Sequence, residues 1–154
     1  MISWSSPSPD LELIHVSSLD NSLVLTIKSN RICVACPCCR IVSSRPHKRY
    51  SRKVQDLPIS DHPVQLLLLS HKWFCDNEDC QKRIFTERFD WLSTNGRRTK
   101  RTDTILRKIA FSTSCHAAEK VAHAAHIPVS HDTLLSIIQR TEISSQVSPF
   151  RRIR

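Results

Sequence analysis

The sequence predicts an α+β chain: a small antiparallel β domain over residues 1–95, then a three-helix domain over residues 96–154. Three observations predict it. Before residue 90, several short runs alternate apolar and polar residues with a strand's period of two. No helix-length periodic segment occurs before residue 95, whereas residues 101–143 are helical in pattern throughout. Between the halves lies STNGRRTKR (93–101), a linker with the only glycine of the 154 residues and four basic side chains.

The elements follow in order. Residues 1–10 are rich in Ser and Pro and form a loose lead. Residues 11–29 read as a hairpin: Leu23, Leu25 and Ile27 alternate with Val24, Thr26 and Lys28, and Asp20-Asn21-Ser22 supplies the turn. The cysteine cluster CVACPCC (33–39) comes next. The basic RPHKRYSRK (45–53) and the Pro-bounded DLPISDHP (56–63) read as loops. Residues 64–74, apolar on both faces, read as a buried strand. A second cluster, CDNEDC (75–80), interrupts it. RIFTERF (83–89) reads as a further strand, with Ile84 and Thr86 opposite Phe85 and Glu87.

In the helical half, Ile105, Leu106, Ile109 and Ala110 make the first apolar face, with Thr102 as N-cap. Ala117, Ala118, Val121, Ala122 and Ala125 make the second, with Ser114 as cap. The third helix starts at the N-cap Ser130, with Asp132 in its first turn and Val129 and Leu134 as a hydrophobic staple. Pro128 keeps the preceding segment out of the helix. Leu134, Leu135, Ile137 and Ile138 are expected to face inward, opposite a stripe of Asp132, Thr133, Ser136, Gln139 and Arg140. This pattern suits a helix-turn-helix whose last helix reads base edges through Thr133, Ser136, Gln139 and Arg140. A three-helix bundle with a solvated polar face fits the same pattern.

Composition narrows the partners. At 40% hydrophobic and 6% aromatic residues, two small cores, one helped by a metal, fit better than one large core. The formal charge is +9, and it is clustered: residues 31–60 sum to +6 and 91–154 to +7, against −2 for each of the other two blocks. Two basic blocks are what a polyanion meets. Arg45, His47, Lys48, Arg49, Arg52 and Lys53 give phosphate affinity. Arg97, Arg98, Lys100 and Arg101 form an arm that follows a backbone or enters a minor groove. The N-terminus has neither a basic n-region nor an apolar core, and the longest apolar run falls short of the roughly 20 residues of a membrane span. A cytoplasmic chain without a membrane partner is expected, in a reducing compartment where cysteines ligate metal more readily than they form disulfides.

Four thiolates at tetrahedral corners suit zinc. Cys36 and Cys39 have the two-residue gap, and Pro37 fixes the turn between them. Cys33 and Cys36 have the same gap without turn residues; in the first choice Cys33 and Cys38 remain free or in reserve. Cys75 and Cys80 form the second pair, in a loop whose Asp76, Glu78 and Asp79 are harder, poorer ligands. His47 is the competing ligand. A redox dithiol would need a strand-to-helix context that the first pair lacks. A closed four-sulfur site contributes folding energy rather than chemistry, so loss of Cys36 or Cys80 should unfold the first domain and spare the helices.

Taken in order, C-P-x-C (Cys36, Pro37, Cys39), His47, Tyr50, Arg52, Asp56-Leu57-Pro58, Phe74-Cys75, Cys80 and Ile84-Phe85-x-Glu87-Arg88 resemble the N-terminal zinc-binding region of the ISL-three family of insertion-sequence transposases. IPVSHDTLLSIIQR (127–140) resembles that family's helix-turn-helix. The resemblance implies a zinc-ribbon-like domain with zinc on Cys36, Cys39, Cys75 and Cys80. It implies binding to double-stranded DNA at the element's terminal inverted repeats, a homodimer being allowed, and a separate nuclease-fold catalytic domain. The sequence departs from it in placing Arg40 and His126 where the family has glycine. Asp103, Glu119, Asp132 and Glu142, the acidic residues after residue 100, form no recognisable catalytic set. The expectation is therefore a DNA-binding portion that is not itself an enzyme. A zinc- or redox-responsive repressor switching through Cys33 and Cys38, and an RNA-binding zinc module, are the alternatives.

Overall fold

The computed structural model describes residues 4–93 and 95–141. Seven strands precede three helices: β1 (Leu11–Leu19), β2 (Ser22–Ser29), β3 (Val34–Ala35), β4 (Val42–Ser43), β5 (Pro46–Ile59), β6 (His62–Phe74), β7 (Ile84–Thr86), α1 (Lys100–Ser112), α2 (Cys115–Ala124) and α3 (His131–Arg140). The α+β class agrees with the sequence reading, but the sheet is larger and is mixed rather than antiparallel. Its order is β1-β2-β6-β5, with β7 also on β6. Two antiparallel hairpins, β1–β2 and β5–β6, lie side by side, and they join through a parallel pairing of β2 with β6. The chain leaves β2, builds the first cysteine loop, runs along β5 and returns as β6, so β6 travels in the direction of β2.

Both hairpins close on two residues of left-handed backbone. Asp20 and Asn21 have φ of 48° and 62°, Ser60 and Asp61 of 48° and 63°. Positive φ at both central positions marks the turn whose twist suits adjoining strands. The two loops expected over 45–53 and 56–63 are instead the strand β5, the Ser60-Asp61 turn and the start of β6. Pro46 begins its strand, and Pro58 falls in a register irregularity between Asp56 and Ile59, so neither removes a needed ladder bond.

Alternation divides the sheet into two faces. Leu23, Leu25, Ile27, Val54, Val64, Leu66 and Leu68 are buried on one face, with Leu11, Phe89 and Leu92 completing the core and Trp4 and Trp91 packed against it. A second core surrounds Trp73, and a third lies among the helices.

The segment before α1 is not a free linker. The Gln55 amide donates to the Arg97 carbonyl (2.8 Å), and the Thr99 amide donates to the Gln55 carbonyl (2.9 Å), so it runs beside β5. Thr99, not Thr102, caps α1, accepting from the Thr102 amide; Thr102 is buried beneath it. Ser114 and Ser130 cap α2 and α3 as expected. Leu106, Ala110, Ala118, Ala122, Val129 and Leu134 form the helical core, with Ile127, and Leu57 of β5 packs against it. Four apolar positions expected inside are exposed: Ile105, Val121, Ala125 and Leu135. Leu135 follows Leu134 by about 100° around the helix, so the two cannot share one narrow stripe. The expected extension to residue 143 and the chain beyond it lie outside the described residues. Among the described residues no helix is long and apolar enough to cross a membrane.

Candidate metal centre and nucleic-acid surface

Two loops carry the sulfurs. In the first, β3 and β4 pair Ala35 with Val42, and the Cys36 amide donates to the Ile41 carbonyl (2.9 Å). The Arg40 amide donates back to the Cys36 carbonyl (2.8 Å), and Arg40 itself takes left-handed backbone, φ 62°. In the second, β6 and β7 pair Phe74 with Ile84, and the Cys75 amide donates to the Arg83 carbonyl (2.8 Å). The Asn77 side chain accepts from the Asp79 amide (3.0 Å) and turns the chain toward Cys80.

The Sγ atoms of Cys36, Cys39, Cys75 and Cys80 all lie within 4.8 Å of one another. The closest approaches join the loops: Cys36 to Cys80 at 3.9 Å and Cys39 to Cys75 at 3.5 Å. Zinc–sulfur bonds of about 2.3 Å set tetrahedral sulfur–sulfur edges of about 3.8 Å, so this spacing fits zinc. It is far beyond a disulfide's length of about 2.05 Å. Trp73 and Phe85 pack beneath the cluster and keep it from water.

Backbone amides, burial and the neighbouring sulfurs shift the four thiols in different directions. Cys39 is brought down to about 7, chiefly by the Ile41 amide. Burial raises Cys36, but the Cys39 and Cys38 amides outweigh it and leave it lowered. The Lys82 amide pulls Cys80 down, yet burial and the neighbouring sulfurs push it up to about 12. Cys75 is raised in the same way against the Asn77 amide. Four adjacent thiolates repel, and a dication at their centre offsets that repulsion. Cys36, Cys39, Cys75 and Cys80 would hold a zinc ion, which would crosslink the two loops.

The other candidate ligands stand apart. Cys33 and Cys38 are exposed, and Cys115 begins α2. His47 is exposed and sets its ring edge-on to Phe74, with centroids 4.7 Å apart. Asp76 pairs with Arg45 at 2.5 Å.

The four sulfurs form a closed centre between two loops, one between β3 and β4 and one between β6 and β7, of the kind that holds zinc. Residues 34–80 match the family model described as the zinc-finger of transposase IS204/IS1001/IS1096/IS1165, and both cysteine pairs fall within that match. This similarity suggests a DNA-binding region of a transposase. No curated protein and no solved structure matched the chain.

The fourteen residues expected to contact DNA differ in what surrounds them. Four cations are engaged within the protein: Arg45 with Asp76, Arg52 with the Gly96 carbonyl, Arg98 with Asp103 (2.7 Å) and Arg101 with Asp56. Lys48, Arg49, Lys53, Arg97 and Lys100 are exposed, as are Gln139 and Arg140 on α3. Ser136 is half-buried, and the Thr133 hydroxyl bonds the Ser130 hydroxyl at 2.9 Å.

Sequence reasoning missed two buried carboxylates. Asp56 is 2% exposed and accepts from the Thr99 hydroxyl (2.8 Å), the Arg101 guanidinium and the Trp4 indole (3.3 Å). Burial raises its pKa, but Arg101 first, then the Leu57 amide and Thr99, hold the carboxyl below its ordinary 3.8. Glu87 accepts from the Ser29 hydroxyl and the His71 amide. The Asp-Leu-Pro and Ile-Phe-x-Glu-Arg motifs contain both carboxylates, but only the register shows that their side chains turn inward.

Proposed function

We propose that this chain is the DNA-binding portion of an insertion-sequence transposase. It recognises the element's terminal inverted repeats through the zinc centre's domain and a helix-turn-helix formed by α2 and α3. The observation that carries the reading is the four-cysteine cluster itself, seated within a segment similar to a transposase zinc-finger. Each of the three helices contacts the other two, and the exposed Gln139 and Arg140 on α3 are side-chain types that pair with base edges. In this reading the chain binds and does not cleave. Asp103 is committed to Arg98, and Asp132 lies in the first turn of α3 beside His131 (3.5 Å).

The test is a titration of the zinc-loaded chain with a terminal-repeat duplex and a scrambled duplex at one salt concentration. Tighter binding to the repeat is expected, and the stoichiometry distinguishes a monomer from a homodimer. Equal affinity removes the claim of specificity. A second reading, a redox-responsive repressor, is favoured by the exposure of Cys33 and Cys38. It requires DNA affinity to change reversibly with oxidant while zinc stays bound.

A further inference from the structure

The open face of the five-stranded sheet connects the metal centre to the helices. Its outward positions are alternate residues 22 to 28 on β2, 49 to 55 on β5 and 65 to 71 on β6, placed together by the strand register. None of these is buried, whereas their inward neighbours from residues 23 to 29, 54 to 56 and 64 to 70 all are. None is a carboxylate. Lys28, Arg49, Lys53 and His71 are there; the rest are Ser, Thr or Gln, apart from Val24, Leu67 and Leu69. The edge strand β1 adds one acid, Glu12, opposite Lys28.

Two shallow grooves cross this face. One, about 500 Å³, is lined by Lys28, Arg49, Leu69 and His71. The other, about 520 Å³, is lined by Lys53, Gln55 and Gln65 together with Arg97, Arg98 and Pro128 from the helical half. The Gln55 side-chain amide donates to the Pro128 carbonyl (3.0 Å), two residues before the cap of α3. At the opposite end, His71 meets the ring of Trp73 in the metal core, 6.0 Å between centroids.

We propose that this sheet face is a phosphate-backbone track for duplex DNA, running from the zinc centre to the N-terminus of α3, with Lys28, Arg49 and Lys53 as its contacts. The inference rests on the DNA-binding reading and adds the surface and the path. Cations and neutral hydrogen-bond donors without acids are what phosphate oxygens require, and such contacts fix register without reading sequence. From Gln65 to His71 the face extends about 20 Å. That equals the axial rise of about six base pairs at about 3.4 Å each. Lys28 and His71 lie outside both basic runs of the sequence and reach the track only through strand pairing.

The test compares two triple variants of equal charge change in the full zinc-loaded chain. K28Q/R49Q/K53Q empties the track. K82Q/R83Q/R88Q removes three exposed cations from the second cysteine loop and the segment around β7. Zinc content and circular dichroism establish that each folds. Duplex affinity is then measured against salt concentration for the native chain and both variants. The track variant should lower the slope of log K against log salt by about 2.7, about 0.9 for each lost phosphate contact. It should weaken repeat and scrambled duplexes alike, and the control variant should leave the slope unchanged. If the native chain binds duplex but the control variant loses as much slope as the track variant, or the track variant loses none, the track is wrong while DNA binding stands. If the native chain binds no duplex, or prefers single-stranded RNA, the DNA-binding reading fails and the track with it.

Discussion

At the residue scale, the choice of ligands was legible because turn chemistry distinguishes otherwise equal cysteines. Cys36 and Cys39 flank Pro37 and point inward, whereas Cys33 and Cys38 are exposed. Cys80→Ser should abolish stoichiometric zinc in native mass spectrometry, while Cys33→Ser retains one ion; zinc retained by the first variant would overturn the ligand set. Two other positions gain meaning from the backbone. Arg40 and His126, where the resembling family has glycine, have φ of 62° and 58°. A side chain there costs about 1–2 kcal/mol, partly offset by glycine's greater freedom when unfolded. Arg40→Gly and His126→Gly should each stabilise the chain by about 0.5–1 kcal/mol, read as a higher urea midpoint at unchanged slope. A lower midpoint would show that the Arg40 or His126 side chain contributes more than its backbone costs.

At the scale of elements, the helices were the more legible. Their caps are local: Ser114 and Ser130 each accept from an amide three residues on, a pattern readable without knowing the fold. Ser130→Ala should cost about 1 kcal/mol and fray the first turn of α3, seen as faster amide exchange from Asp132 to Leu134; unchanged exchange would mean that packing alone holds that turn. Strands depend on partners that the local sequence does not contain. Three prolines and a run of cations made β5 and the start of β6 resemble loops, because the outward face of an open sheet is polar and only Val54 and Asp56 disclose the inward one. The same limit hid the committed arginines. Arg101 and Arg97 are both basic residues of one short run, yet β5 places Asp56 beside the first and leaves the second exposed.

At the scale of the whole molecule, Asp56 joins the sheet to the helices. It sits near the end of β5 and accepts from Thr99 and Arg101, the cap and second residue of α1. Asp56→Asn should cost about 2 kcal/mol, less than a fully buried pair because Arg101 is a third exposed. The carboxyl's folded pKa lies below its ordinary 3.8, so its stabilisation is complete above that value and is lost as pH falls through the folded one. The variant's urea midpoint should therefore fall less steeply with acid than that of the native chain. Parallel curves would show that Asp56 titrates alike folded and unfolded.

Three separate cores also narrow what the metal holds. The sheet core of Leu25, Ile27, Leu66 and Leu68 contains none of the cysteines, and the helical core contains none either. Among the described residues only the core around Trp73, with Cys36, Cys75, Cys80 and Phe85, depends on the cluster. The sequence alone implies collapse of the whole first domain without zinc, because it shows neither the length of β5 and β6 nor the parallel pairing that closes the sheet core. Chelation should instead release β3, β4 and β7 and leave the rest folded. Trp73 lies in the metal core, whereas Trp4 and Trp91 pack against the sheet core, so chelator should redshift only Trp73's emission in a W4F/W91F background. Amide exchange should quicken at residues 34–43 and 75–86, while Leu25, Leu66, Leu106 and Leu134 stay protected. Loss of protection at Leu66 together with Trp73 would mean that sheet and metal centre fold as one unit. Protection retained throughout would mean that the sulfurs hold their loops without an ion.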